Sequence, residues 1–242
     1  MDWITGLGRI ITRPDLPITL QGGEPTQHPD CWEIAAELNS CGKHLDILTN
    51  GDFDFKTFID CISCRVFDRP AKYASIRFSY HVHIHSPYAL AAKVFYLQTL
   101  GYNIGIWGLD HPDFKIDNTR MANICKTYRI DFRLKELLGE YDGKYYGTLR
   151  YLGAASGKKK KALCRTTELL IGPSGHIYRC HSDLYAGHNP IAHILDEDLD
   201  RADIGGWRDC GGFGACNACD VKVKTNRLQE GGHTSVEIQV QS

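Results

Sequence analysis

No run of about 18 apolar residues occurs in this 242-residue chain, which excludes a helix long and apolar enough to cross a bilayer. Nor is there an excess of either charge. The formal net charge is −1, from 28 basic and 29 acidic side chains, so nothing draws the chain generally to nucleic acid or to an anionic membrane. The one basic run, Lys158 to Lys161, reads as a solvated loop. The opening MDWITGLGRIITRPD lacks the basic start and apolar centre of a secretion signal. Without an export signal a disulfide framework is the weaker reading of the ten cysteines. They point instead to metal ligation in a reducing, cytoplasmic setting.

What the chain does have, through residues 1–138, is alternation of short apolar runs with amphipathic helical patterns. The strands read as Ile18–Leu20, Leu45–Leu48, Ser75–Ser79, Ile104–Trp107 and Ile130–Leu134. Helices between them are marked by Phe55, Phe58, Ile59 and Ile62, by Leu90, Ala91, Val94 and Leu97, and by Met121, Ile124 and Cys125. Strand, helix, strand at this rhythm implies an α/β fold, a parallel sheet with right-handed crossovers whose ligands bind at the C-terminal strand ends. Two glycines, an acid and a proline (Gly22, Gly23, Glu24, Pro25) come after the first strand, a turn built for a sharp bend or a close approach.

Residues 139–163 are rich in glycine, tyrosine and charge and read as a connector. Residues 164–242 form a cysteine-rich extension that opens on a β-hairpin, TELLIGPSGHIYRC, with a Pro-Ser-Gly turn. The stretch beyond the hairpin is poor in aliphatic residues and cannot bury much apolar surface, so something else must hold it together. Cys164 and Cys180 flank the hairpin, and Cys216-x-x-Cys219 lies further on. Two cysteines on a hairpin with a distant C-x-x-C make a four-thiolate site, which zinc or an iron–sulfur cluster both accept. Cys210 is left over; it either replaces one of these ligands or stands by. Cys61-x-x-Cys64 lies on a helix with no partner pair nearby, and Cys31, Cys41 and Cys125 read as ordinary thiols.

The turn GGEP after a strand, a helix, and then ILTNG (Ile47 to Gly51) resemble radical S-adenosylmethionine enzymes. The cysteines around Gly175 and Cys180 resemble that superfamily's Twitch or SPASM extension. The resemblance implies a partial (β/α) barrel and reductive cleavage of S-adenosyl-L-methionine to a 5′-deoxyadenosyl radical that abstracts a substrate hydrogen. It implies one auxiliary [4Fe–4S] cluster on Cys164, Cys180, Cys216 and Cys219. Around the cofactor it places Gly22, Gly23, Glu24, Pro25 and Asn50. Ser79 stands at the ribose, with His81 where the superfamily has an acid, and Gly108 lies on the adenine-flanking strand. The implied partners are a small-molecule or peptide substrate and a reductant such as ferredoxin or flavodoxin. A zinc-stabilised scaffold without chemistry is the alternative.

One motif of that superfamily has no counterpart. The C-x-x-x-C-x-x-C whose thiolates hold the cleavage cluster occurs nowhere in the sequence. The chain therefore reads as lacking the first barrel strand and cluster loop, with DWITGLGRIIT as the tail of the first barrel helix. On that reading the chain alone is inactive and exposes a sheet edge. FSYHVHIHSP is expected to put His81, His83 and His85 on one face of an extended segment, as a polar rim. Asp110 and His111 are candidates for substrate contacts, Trp107 for a pocket wall, and Asp131 and Arg133 for the barrel interior.

Overall fold

The computed structural model describes residues 2–199, 203–225 and 232–240. The chain divides into two compact units, one of Gly8–Leu137 and one of Met1–Leu7 with Leu138–Ser242. Helix α1 (Asp2–Gly8) opens the chain. It is not a barrel helix: Gly6 lies against Ile194, and Trp3 packs on the cluster of Ile177, Ile194 and Leu199, all in the second unit. Its apolar residues are claimed by the extension.

The first unit runs β1 (Ile18–Leu20), α2 (Cys31–Ser40), β2 (Leu45–Thr49), α3 (Phe55–Cys61), β3 (Ile76–Ser79), α4 (Pro87–Thr99), β4 (Ile104–Asp110), α5 (Lys115–Tyr128) and β5 (Asp131–Glu136). The five strands form one parallel sheet in chain order, with Ile47 opposite Ile76 and Ile76 opposite Ile104. This is the α/β arrangement that the alternating pattern implies, a five-stranded parallel sheet of a partial barrel.

Because side chains alternate across a strand, the register separates two faces. Ile47, Ile76, Phe78, Ile104 and Ile106 share one and are buried. Trp32, Phe53, Phe58 and Phe78 stack there edge to face or tilted, at 4.9–5.8 Å between ring centres. Arg77, Ser79, Trp107, Asp131 and Arg133 share the other, polar face. On that side Asp46 of β2 is sealed by Arg69 Nη2 at 2.9 Å and Arg77 Nη2 at 3.0 Å.

In the second unit, residues 139–163 do more than connect. They hold a hairpin, β6 (Gly139–Tyr141) and β7 (Lys144–Tyr146), turned by Asp142 and Gly143, both at positive φ, as a two-residue turn requires. After it come β8 (Lys160–Thr166), β9 (Leu170–Ile171), β10 (His176–Tyr178), α6 (His181–Ala186), β11 (Ala192–His193), β12 (Arg208–Phe213), α7 (Ala218–Val221) and β13 (Val236–Val240). β9 and β10 are the two arms of the hairpin that the Pro-Ser-Gly turn implies. The three-stranded sheet β12-β8-β13 is not expected from the sequence, although SVEIQV alternates as a strand does. It buries a small cluster of Ala162, Cys164, Phe213, Val221, Val236 and Ile238.

Glu168 ties this sheet to the end of the chain. Its carboxylate meets His233 Nε2 at 3.0 Å, Lys224 Nζ at 2.5 Å and Ser235 Oγ at 2.8 Å. Burial pushes this carboxyl up, but the three partners outweigh it and hold it well below the usual carboxylate range. Glu168 therefore gives its full stabilisation above its ordinary unfolded pKa and loses it as pH falls towards the depressed folded value. Urea unfolding between about pH 6 and pH 2 is expected to show stability falling in the wild type. The fall should be shallower in Glu168→Gln; equal slopes would remove Glu168 from the account.

Candidate cofactor turn and cysteine cleft

β1 runs out at Leu20, and the chain turns through Gly22 (φ 99°) and Gly23 (φ 53°), both left-handed. A β-carbon at either would meet nothing within 4 Å. Both residues are exposed, so the turn's backbone, not packing, asks for glycine here.

Glu24 is a strut. One carboxylate oxygen accepts from Thr26 N at 3.2 Å, Thr26 Oγ1 at 2.8 Å and Thr49 Oγ1 at 2.7 Å, and the other accepts from Asn50 N at 2.6 Å. Its side chain is thus spent on joining the ends of β1 and β2, which leaves the turn's backbone to face a ligand. Pro25 begins the short 3-10 turn that Glu24 caps. Asn50 turns its amide oxygen onto Asp52 N at 2.7 Å. Gly51 is left-handed, with Phe78 2.8 Å from where its β-carbon would be, so a larger residue there would strike the core. A cleft of about 470 Å³ lies against these loops, lined by Thr26, Gln27, Trp32, Asp52 and Phe53 among others.

The remaining residues of the implied cofactor site stand at the same end of the sheet. Ser79 closes β3 on the polar face, opposite Trp107. Beyond it the extended histidine face does not form. Ile84 N and His85 N both donate to His81 O, at 2.9 Å each, so residues 81–85 coil into a turn. The strand pairing ends at Ser79, and the chain must fold back to begin α4 at Pro87. His81 N donates to His85 Nδ1 at 3.1 Å, while His83 packs on Phe114. Burial first, then the neighbouring His81 and Lys93, lowers the His85 pKa. Gly108 is buried, with its β-carbon direction 3.0 Å from Asn118 Oδ1 and Leu134 Cδ2, on the helix side of the sheet. His111 caps the turn after β4, its Nδ1 accepting from Asp113 N at 3.2 Å, and its ring stacks on Phe114.

In the other unit the cysteines gather. Cys164 pairs with Arg208 and Cys210 with Ala162, which sets the two thiols diagonally across the antiparallel β8/β12 pair. Gly212 N donates to the Cys210 sulfur at 3.3 Å. The neighbouring Cys164 thiol, with Gly212 N–H and the Arg179 guanidinium, lowers the Cys210 pKa against the effect of burial. The Cys164 thiol is correspondingly pushed up. Cys180, Cys210 and Cys216 line one cleft of about 430 Å³.

Arg179 is pinned beside them, donating to Asp209 O at 2.9 Å and Asp183 Oδ2 at 3.1 Å. Asp220, directly after Cys219, accepts from His181 N, directly after Cys180, and meets the His181 ring at 2.7 Å. That pair fastens the C-x-x-C segment to the hairpin. Cys210, the cysteine left over in the sequence, holds the central place. Cys219 sits in α7 with its amide capped by Asn217 at 2.9 Å. Among the described residues no three His, Cys, Asp or Glu side chains converge closely enough to hold a single metal ion.

The first unit is an open parallel α/β sheet with a glycine turn at the C-terminal end of its first strand, the end at which such sheets receive their ligands. Among solved structures the chain's fold is similar to that of SuiB from Streptococcus suis bound to S-adenosylmethionine, with a TM-score of 0.56 and 15% identity over 83% of this chain and 58% of SuiB. It is also similar to a second structure of SuiB, with a TM-score of 0.52 and 15% identity over 76% of this chain and 54% of SuiB. The chain thus spans little more than half the length of these neighbours. No protein-family model and no curated protein matches it. The likeness is one of fold.

Two groups are implied by the sequence resemblance alone, a cofactor at the glycine turn and a cluster on the cysteines, and the chemistry of the residues present is compatible with both. The exposed Gly22–Gly23 backbone has open space on the side where a β-carbon would stand. The soft thiol set of Cys164, Cys180, Cys210 and Cys216 packs on one small apolar cluster.

Proposed function

We propose that this chain belongs to a radical S-adenosylmethionine enzyme, in which its first unit holds the cofactor and its second an auxiliary [4Fe–4S] cluster. The cofactor, when bound, would supply radical hydrogen-abstraction chemistry towards a small-molecule or peptide substrate. The chain's own residues bind, orient and exclude water. Gly22 and Gly23 offer backbone to the cofactor's methionine end, Glu24 fixes their turn to Asn50, and Ser79 and His81 border the ribose. Cys164, Cys180, Cys210 and Cys216, with Cys219 adjoining, would hold the cluster, which would supply an electron acceptor or an anchor for substrate. Thiols ranged around a cleft would suit a multi-iron group better than a single ion. The implied reductant is an external one such as ferredoxin or flavodoxin.

The observation that carries this reading is the Glu24-braced, solvent-open glycine turn on a sheet of this fold. Titration calorimetry of the intact chain with S-adenosylmethionine is expected to give saturable binding. Glu24→Ala, which strips acceptors from Thr49 Oγ1 and Asn50 N, should weaken binding at least about tenfold, or roughly 1.4 kcal/mol. The parallel sheet should remain visible by circular dichroism. Equal affinity in the variant would separate the turn from the cofactor.

A further inference from the structure

Helix α4 is apolar on every side. Its sequence, PYALAAKVFYLQT, holds one charge, Lys93. That ammonium is turned onto the loop after β2, 3.1 Å from Gly51 O and 4.1 Å from the centre of the Phe55 ring. Leu90, Ala91, Val94 and Leu97 form the buried face. The opposite face is Tyr88, Ala89, Ala92, Phe95, Tyr96 and Leu100, all of them exposed. Tyr88, Phe95 and Tyr96 are 66%, 42% and 54% exposed. Thr99, the one polar residue beside them, spends its hydroxyl on Tyr96 O at 2.6 Å. A surface helix ordinarily carries charge on its outer face, and one that is apolar all round is normally buried.

The order of these residues points to what covers them. At 3.6 residues per turn Ala92 lies in the middle of the outer face, with a tyrosine four positions before it and another four after. Set a second α4 antiparallel to the first, on a two-fold axis at Ala92. Each residue before Ala92 then comes beside the one equally far after it in the other copy, and every contact is made twice. Tyr88 meets Tyr96 of the second copy. Ala89 meets Phe95 of the second copy, small against large. Ala92 on the axis lets the helices approach to the usual distance of about 8–10 Å. No charge on this face would meet its own copy across the axis. A lipid surface suits the face less well, because a helix lying in a membrane interface carries basic residues along its polar side, and the one cation of α4 faces Gly51.

The area is of the right order. Tyr128 of α5, 43% exposed, extends the patch, its ring 5.2 Å from that of Phe95. At roughly 150–250 Å² for a whole aromatic side chain, Tyr88, Phe95, Tyr96 and Tyr128 leave on the order of 400 Å² in water. Doubled across the axis and joined by the alanines and Leu100, this comes to about 1,000 Å², the lower bound for a specific interface.

We propose that the outer face of α4 is a dimer interface, covered by a second copy of this chain running antiparallel about Ala92. The proposal rests on neither the cofactor nor the cluster reading, and its failure would leave both untouched.

Sedimentation equilibrium of the intact chain in reducing buffer is expected to show a reversible monomer–dimer equilibrium with a Kd of micromolar order. Ala92→Glu and Ala92→Lys each place two like charges on the axis and should raise the Kd at least a hundredfold. An equimolar mixture of the two variants should recover a mixed dimer, since opposite charges then meet there. Tyr96→Ser, which removes a ring from each of two contacts, should weaken the dimer at least tenfold. Ala92 is exposed, so the monomers should keep their urea midpoint, and Tyr96→Ser maintains the test if a charged variant fails to fold. A chain that stays monomeric up to on the order of 100 μM would overturn the proposal. So would a dimer indifferent to Ala92→Glu or Tyr96→Ser, which would move the contact to an exposed sheet edge, or charged variants that do not pair. A monomer that binds phosphatidylcholine–phosphatidylserine vesicles, and loses them in Ala92→Glu, would make α4 a membrane face instead.

Discussion

Asp46→Ala is expected to cost the first unit about 3–5 kcal/mol, a large part of the roughly 5–15 kcal/mol that holds a typical domain together. The cost comes from what is left behind. Asp46 is the shared partner of Arg69 and Arg77, whose side chains are 1% and 9% exposed, and it also accepts from the Tyr73 hydroxyl at 3.4 Å. Without it two guanidiniums face each other in a space closed to water, and one carbonyl, Pro14 O at 2.6 Å from Arg69 Nη1, cannot offset them.

Removing the whole cluster should behave differently. With Asp46→Leu, Arg69→Met and Arg77→Met together, no charge remains to be desolvated, and the loss should shrink or vanish. Because the chain has two units, a single unfolding curve would mix them. Fluorescence of Trp32 and Trp107, with Trp3 and Trp207 replaced by phenylalanine, reports on the first unit alone. A urea midpoint that drops sharply for the single variant and recovers in the triple one is the expected pattern. A single variant close to wild type would mean that the guanidiniums reach water.

The second large effect concerns the thiols. After anaerobic reconstitution the chain is expected to carry about four irons with matching sulfide, and Cys210→Ser should lose them as fully as Cys216→Ser. For structural zinc in small domains the apparent binding energy is about 10–16 kcal/mol. A contribution of that order would dominate a unit whose apolar clusters are as small as Ala162, Cys164, Phe213, Val221, Val236 and Ile238. Loading should therefore raise the resistance of residues beyond Leu138 to proteolysis, while chelation abolishes it. Iron content unchanged in Cys210→Ser would return that cysteine to the place of a bystander. One zinc and no sulfide would favour the scaffold reading, and the cofactor turn would then have to be judged by its own binding test.

The sheet was legible because each of its strands is a short apolar run between amphipathic helices, and period alone separates the two. Its boundaries moved outward where hydrogen bonds, not hydropathy, carry the strand on, as in β4, which continues through the exposed Leu109 and Asp110. The histidine face failed for a related reason. Alternation in FSYHVHIHSP suits a strand, but a strand needs a neighbour, and pairing ends at Ser79. The ion cluster of Asp46, Arg69 and Arg77 could not be read, because Asp46 and Arg77 meet through the pairing of β2 with β3 and Arg69 reaches them from the loop between.

The glycine turn could be placed from sequence, but not the spending of the Glu24 carboxylate on Thr49 and Asn50. Among the cysteines, spacing marked C-x-x-C and the hairpin pair. Cys210 takes its place through a strand pairing, β8 with β12, that no local pattern announces.

Helix α1 leaves the ribosome before any of the first unit, yet its partners Ile177, Ile194 and Leu199 are made after all of it. At roughly 5–20 residues per second, Trp3 waits on the order of ten seconds with its apolar surface unclaimed, while a complete parallel sheet forms in between. The second unit is thus completed by a segment made before the first. A nascent chain stalled anywhere short of Leu199 would present α1 to chaperones instead of to its own core.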